Sequence, residues 1–366
     1  MSARVPFNAL TPGDDAAAVR AAIDRVIASG WFVLGPEVEG FEAEFAAASG
    51  VPHAVGVGTG TDAITLILRA LDIGDGDEVI TPPLSAAYSA LAVIMAGARP
   101  VFADIDPDRL TLDPTKIEAA ITPRTKAILP VHLYGQAADM RAIEAIAARH
   151  HLALVEDAAQ AHIATSDGRA VGTIGVAGAI SFYPTKNLGA LGDGGAVITR
   201  DTQLAARIKR LRNGGQTSRY HHEEAGANSR LDEMQAAILR ARLPYLGGWT
   251  ARRRAIAAAY RFGLEGAALT VPREFDAGHV YHLFPVRTPH RDAFMAHLAN
   301  FGVETLIHYP VPIPRQPALK AFDPADCPVA NRVCSEVVSL PMYPALPDAA
   351  ISAVAAAART FRPAGQ

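Results

Sequence analysis

The sequence predicts an α/β fold: a mostly parallel sheet flanked by helices, followed by a smaller C-terminal α+β domain. Three observations carry this. Short β-branched runs alternate with Ala-rich stretches of helical spacing from residue 53 to 199. Helical pattern alone dominates from Arg230 to about Gly263. After Leu269 the pattern shortens and becomes Pro-rich. Strand-helix alternation requires crossover connections and therefore parallel strands with helices on both faces. Such sheets bind ligands outside the carboxyl ends of their strands.

The expected strands are HAVGV at 53–57, EVITP at 78–82, PVFADI at 100–105, KAILPVHLY at 126–134, LALVED at 152–157, AISFY at 179–183 and AVIT at 196–199. Helices are expected over 62–71, 86–95, 115–120 and 140–150, each an apolar stripe between turn residues. Pro244 and the pair Gly247–Gly248 are expected to bend the helical stretch that follows. Arg252, Arg253 and Arg254 read as the exposed face of that helix. Beyond it, HVYHLFPV at 279–286 predicts a strand, 291–301 one helix, and YPVPIPRQP a Pro-rich connection. The domain boundary is placed near 246, giving domains 1–245 and 246–366.

Composition narrows the function classes. A net charge of -3 with no long basic run argues against nucleic-acid and membrane-surface binding. The apolar runs are too short to span a bilayer, and the first residues lack a signal-peptide core. Two cysteines, Cys327 and Cys334, make neither a disulfide framework nor a zinc site. The expectation is a cytoplasmic protein.

Three motifs carry chemistry. In EDAAQ, at 156–160, two acids end an apolar strand. Asp157 reads equally as a ligand-facing carboxylate and as a helix N-cap. In SFYPTKN, at 181–187, Lys186 sits in a turn between an apolar strand and the glycine turn GDGG at 192–195. A lysine in apolar surroundings loses its proton more readily and becomes a nucleophile. In GVGTGTDAI, at 56–64, a strand enters a Gly/Thr loop that opens a helix. The unpaired N–H groups of such a helix start suit a phosphate. An amine, a carboxylate and an anion site together meet the needs of pyridoxal phosphate: a lysine for its aldehyde, an acid for its ring nitrogen, a cradle for its phosphate.

With these residues in view, the sequence resembles the DegT/DnrJ/EryC1/StrS sugar aminotransferases over nearly its whole length. The matching stretches include SGWFVLGPEVEGFE at 29–42, AGARPVFADIDP at 96–107, EDAAQAH at 156–162, SFYPTKNLGALGDGGAV at 181–197, NSRLDEMQAAIL at 228–239 and HYPVP at 308–312. The resemblance implies the type I (aspartate aminotransferase) fold of pyridoxal-phosphate enzymes. It implies Lys186 as Schiff-base lysine and proton shuttle, Asp157 on the ring nitrogen, and Gln160 on the ring hydroxyl. Gly60, Thr61 and Ser181 would hold the phosphate, with Asn228 reaching it from a neighbouring subunit of a homodimer. Tyr183, His308 and Tyr309 fall where the family contacts its sugar. Arg219, in SRYHH, reads equally as a contact to the nucleotide's pyrophosphate and as a solvated loop charge. His162 reads as a structural histidine.

The YPTKNLGALGDGG stretch resembles the subgroup that aminates C-3 of nucleotide-linked 3-keto-6-deoxyhexoses. The implied donor is L-glutamate and the implied sugar carrier dTDP. C-4 amination of a 4-keto-6-deoxyhexose is the nearest alternative, and a pyridoxal-phosphate-binding regulatory protein without turnover is another. Three positions depart from the family pattern. Ser85-Ala86 stands where a Thr and a ring-stacking aromatic are usual, Pro314 where a His is frequent, and Ile163-Ala164 where Gly-Ala is usual.

Overall fold

The computed structural model describes residues 4–322 and 326–363. Seven strands form the main sheet: β1 His53–Val57, β2 Glu78–Thr81, β3 Arg99–Phe102, β4 Thr125–Ile128, β5 Ala153–Asp157, β6 Ala177–Ser181 and β7 Gly195–Thr199. Their order across the sheet is β1-β7-β6-β5-β4-β2-β3. Strand β7 runs antiparallel to both neighbours, β1 and β6, while the β6-β5-β4-β2-β3 pairings are parallel. The carboxyl ends of β1, β6 and β5 therefore share one edge, and β7 starts there.

The sheet strands are buried almost throughout, as expected where helices cover both faces. One apolar core joins β1, β2 and β7 to the helix Gly60–Ala70. Another lies against the opposite face and takes Phe41, Phe45 and Phe182 in edge-on ring contacts. Glu233 fixes the start of the helix Pro36–Ser49 by accepting from the N–H groups of Gly35, Glu37 and Val38. Its carboxylate supplies the acceptors that a helix N-terminus lacks.

The C-terminal part corrects four expectations. The strand expected at 279–286 is confined to β8, Phe284–Arg287, which pairs antiparallel with β9, Val337–Leu340. Residues 280–282 stay irregular because side chains use their carbonyls: Asn187 donates to Val280, and Arg253 to Tyr281 and His282. Three α-helices, not one, pack here: Arg291–Asn300, Pro328–Glu336 and Asp348–Thr360. Gly247 and Gly248 lie inside the helix Leu246–Gly263 without breaking it, and the irregularity is the 3₁₀ turn Leu243–Tyr245 around Pro244. Arg253 is not on an exposed face: it is 3% accessible. No described helix is long and apolar enough to cross a membrane.

Candidate active site

The anion cradle is built from the exit of β1. Thr59 caps the helix Gly60–Ala70: its hydroxyl accepts from Asp62 N–H (3.0 Å) and its carbonyl from Ala63 N–H (3.1 Å). The Gly60 and Thr61 N–H groups have no partner among the described residues, which is the ordinary state of a first helical turn. Register brings Ser181 beside them, because Gly195 of β7 pairs with Val57 on one side and Ser181 on the other. The approach is close. A Cβ on Gly60 would lie 2.8 Å from Ser181 Cβ, and one on Gly195 would lie 2.4 Å from the Thr59 carbonyl carbon. The glycines of the GDGG turn and of the loop therefore let β7 pass under the cradle.

This geometry predicts the outcome of adding one methyl group. Gly60→Ala must push Ser181 or the loop aside. It should lose about 1–3 kcal/mol of stability. It should also weaken cofactor binding about tenfold or more. Thermal melting and a visible-absorbance cofactor titration check both; a variant with wild-type values in each would show that the close packing is not needed.

The carboxylates of Glu156 and Asp157 separate, because successive side chains of a strand point to opposite faces. Glu156 is fully buried and accepts from His132 Nε2 and from the N–H groups of Gly172, Ile174 and Gly175. It pins a turn. Asp157 faces the site, with Oδ2 accepting from Ser89 Oγ (2.7 Å) and Oδ1 from Ala159 N–H (3.0 Å). Ser89, in the helix Tyr88–Met95, carried no signal of its own in an Ala-rich stretch. Tyr88 is 64% exposed, so it does not replace the missing aromatic at Ala86 within this chain.

Lys186 follows β6 in a turn closed by its N–H to the Tyr183 carbonyl (2.8 Å). Burial pushes its amine down to about 8, and the nearby Asp157 charge acts in the opposite sense. Uptake of a carbonyl ligand needs the free amine. The rate of cofactor uptake by the cofactor-free chain should therefore rise with pH, with a midpoint near 8. Stability should rise over the same range. Between about 8 and the ordinary lysine value the unfolded chain binds the extra proton. Lys186→Met should abolish that rise, and a pH-independent uptake rate would count against the assignment.

Around this centre the C-terminal part supplies Tyr309 and His308. Gln160 links the two parts: Oε1 accepts from Tyr134 N–H (2.7 Å) and Nε2 donates to the Tyr309 hydroxyl (3.0 Å). Burial and the Asp157 charge raise the Tyr309 hydroxyl to about 12. His308 meets Ser339 Oγ through Nδ1 (3.0 Å), and burial with the Lys186 charge lowers it to about 4. His162 bonds the Ser181 carbonyl through Nε2 (2.8 Å), and burial with the same charge lowers it to about 3. Pro314 is buried in the 3₁₀ turn Ile313–Arg315, and Ile313 N–H donates to the Pro83 carbonyl.

The remaining residues lie outward. Tyr183 is 52% exposed. Asn228 is exposed, but its neighbour Ser229 holds the cradle loop through Gly58 N–H and Asp62. Arg219 is exposed in the hairpin Gln216–His222 and lies over the ring of Tyr220 beside it. Within one chain, then, Gly60, Thr61, Ser181, Asp157, Gln160, Lys186, His308 and Tyr309 converge, and Arg219 does not join them.

The model of the DegT/DnrJ/EryC1/StrS aminotransferase family matches residues 14–359. The chain belongs to this family. It is a pyridoxal-phosphate-dependent aminotransferase of the type I fold. One relative is the dTDP-3-amino-3,4,6-trideoxy-α-D-glucose transaminase of Streptomyces venezuelae, 51% identical over 94% of this chain and 92% of that one. The erythromycin biosynthesis sensory transduction protein EryC1 of Saccharopolyspora erythraea is also 51% identical, over 88% of this chain and 89% of its own. Among solved structures, S. venezuelae DesV in complex with a ketimine intermediate superposes with a TM-score of 0.94. It is 50% identical and covers 97% of this chain and 98% of that one. The residues present fit the cofactor: two N–H groups beside Ser181 with no partner among the described residues, a buried carboxylate held on both oxygens, and an amine that burial lowers to about 8.

Proposed function

We propose that this aminotransferase moves an amino group from L-glutamate to C-3 of a nucleotide-linked 3-keto-6-deoxyhexose, with dTDP as the carrier. The observation that carries the reading is the likeness, near half identity over nearly the whole chain, to a transaminase named for a dTDP-3-amino sugar. Pyridoxal phosphate, when bound, supplies an aldehyde that condenses with amines and a ring that takes up the electron pair left by a departing proton. Gly60 N–H, Thr61 N–H and Ser181 Oγ would hold its phosphate, Asp157 its ring nitrogen, Gln160 its ring hydroxyl and Lys186 its aldehyde.

Lys186 Nζ then serves twice. It takes the proton from the donor's α-carbon, and it returns a proton to the sugar's C-3 when the steps run backwards. The 2-oxo acid leaves before the sugar enters the same site, so the kinetics should be ping-pong, with parallel double-reciprocal lines. Tyr183, His308 and Tyr309 face the sugar in this reading. His308 and Tyr309 enter as neutral hydrogen-bonding groups, since burial disfavours their charged forms.

The enzyme in this proposal is a cytoplasmic homodimer with shared sites. The exposed apolar run Trp31, Phe32 and Val33 supports a subunit interface, as does the exposure of Asn228 next to the cradle loop. Asn228 and Arg219 would reach the partner's phosphate and pyrophosphate. The unit boundary at 246 falls at the first residue of the helix Leu246–Gly263.

The test is incubation with glutamate and either dTDP-3-keto-6-deoxyglucose or its 4-keto isomer, with the aminosugar identified by mass and NMR. A 3-amino product from the 3-keto sugar is expected. Amination of the 4-keto compound alone would overturn the C-3 assignment.

A further inference from the structure

A cavity of about 710 Å³ lies beside the Lys186 turn, walled by that turn, the N-terminal segment around Asp15 and the helix Leu246–Gly263. Asp157, Gln160 and Tyr309 are not part of its wall, so it is a space apart from the carboxylate and ring-hydroxyl contacts. Two of the three arginines on the wall are matched by carboxylates. Arg242 pairs with Asp15 at 2.6 Å, and Arg252 with Asp348 at 2.7 Å. Arg253 is different. It is 3% accessible, and its Nη1 donates to three backbone carbonyls, of Tyr281 (3.2 Å), His282 (3.1 Å) and Met342 (3.0 Å). Its Nε is buried without a partner, and its Nη2 donates to nothing among the described residues.

A buried guanidinium without a carboxylate is costly, because neutral carbonyls orient it but do not cancel its charge. Burial alone pushes it down to about 10. With Nη1 taken by the carbonyls and Nε enclosed, Nη2 is the donor left for an anion. The rest of the wall selects among them. Trp249 and Tyr245, stacked at 5.7 Å, offer an apolar surface for a carbon chain. The acids Asp14 and Asp15 disfavour the concentrated double charge of a single phosphate group.

We propose that this cavity is a binding site for a small organic carboxylate, with Arg253 as its anchor. The carboxylate is either that of the amino donor, entering along the Lys186 turn, or that of a separate small acid bound beside it. In both cases the ligand supplies the charge that the fold withholds from Arg253.

The experiment uses the cofactor-loaded enzyme and glutarate, a carboxylate that cannot donate an amine. Binding is measured by calorimetry at constant ionic strength. Two variants attack the site differently. Arg253→Lys keeps the charge but loses the Nη2 donor. Gly248→Trp fills the cavity from a wall position where an added Cβ meets nothing within 4 Å, and leaves Arg253 intact. Melting curves show whether each is folded. Glutarate should bind the wild type, and each folded variant should bind it about 10- to 100-fold more weakly. If glutarate competes with glutamate in the donor half-reaction, the site serves the donor. If both bind together, it serves a separate acid. No heat with the wild type, wild-type affinity in Gly248→Trp, or tighter binding of inorganic phosphate than of glutarate would each overturn the proposal. None of these results depends on whether the sugar is aminated at C-3.

Discussion

Lys186→Ala is expected to reduce turnover by about 10⁴-fold or more, because one side chain supplies both the amine and the proton transfers. Its surroundings explain why no neighbour can substitute. Burial is the larger cause of the low values of His162 and His308, about 3 and 4, and it persists without the Lys186 charge, so both stay neutral and weakly basic near neutrality. The Tyr309 hydroxyl is raised to about 12 and is already engaged by Gln160. Lys186 itself is lowered to about 8 by burial, which leaves a share of it as the free amine at neutral pH. Borohydride treatment of the wild type should leave the cofactor's mass on the peptide containing Lys186. The alanine variant should show no such adduct. An adduct that persisted in Lys186→Ala would place the covalent chemistry elsewhere and remove the centre of the mechanism.

Much of this site was legible in the sequence because its parts sit where strands end. Asp157, Ser181 and the 58–62 loop each follow an apolar run, and a sheet with nearly all strands one way gathers such ends on one edge. The remaining features were of two kinds. Some were readable by periodicity. Arg253 shares a helical stripe with Ile256, Ala257 and Tyr260, all buried, so the spacing marks an inward-facing arginine that its charge concealed. Strand alternation likewise separates Glu156 from Asp157. The rest depends on contacts distant in sequence. Ser89 matters only because its helix lies against the end of β5. Residues 280–282 are kept out of a strand by Asn187 and Arg253, and no local pattern announces that.

The second large effect is expected at Asp157, and its immediate neighbour supplies the control. In Asp157→Asn the amide oxygen still accepts from Ala159 N–H, and the amide nitrogen can donate to the Ser89 hydroxyl, which rotates to accept. The fold should survive. What is lost is the negative charge that keeps the cofactor's ring nitrogen protonated, so the expected fall in kcat is about 10²- to 10³-fold, with a small change in melting temperature. Ser89→Ala removes one orienting bond and leaves the charge, so its effect on kcat should be far smaller. Glu156→Gln should show the reverse pattern. All its partners but His132 are backbone N–H groups, and an amide nitrogen turned toward any of them is left unpaired. That variant should lose about 1.5–3 kcal/mol of stability. Its folded fraction should turn over nearly as fast as wild type. The comparison separates charge from structure at adjacent residues. If Asp157→Asn retained turnover within about threefold of wild type, ring-nitrogen protonation would not limit the reaction. If Glu156→Gln lost turnover without losing stability, the two acids would share a role that their opposite orientations on β5 argue against.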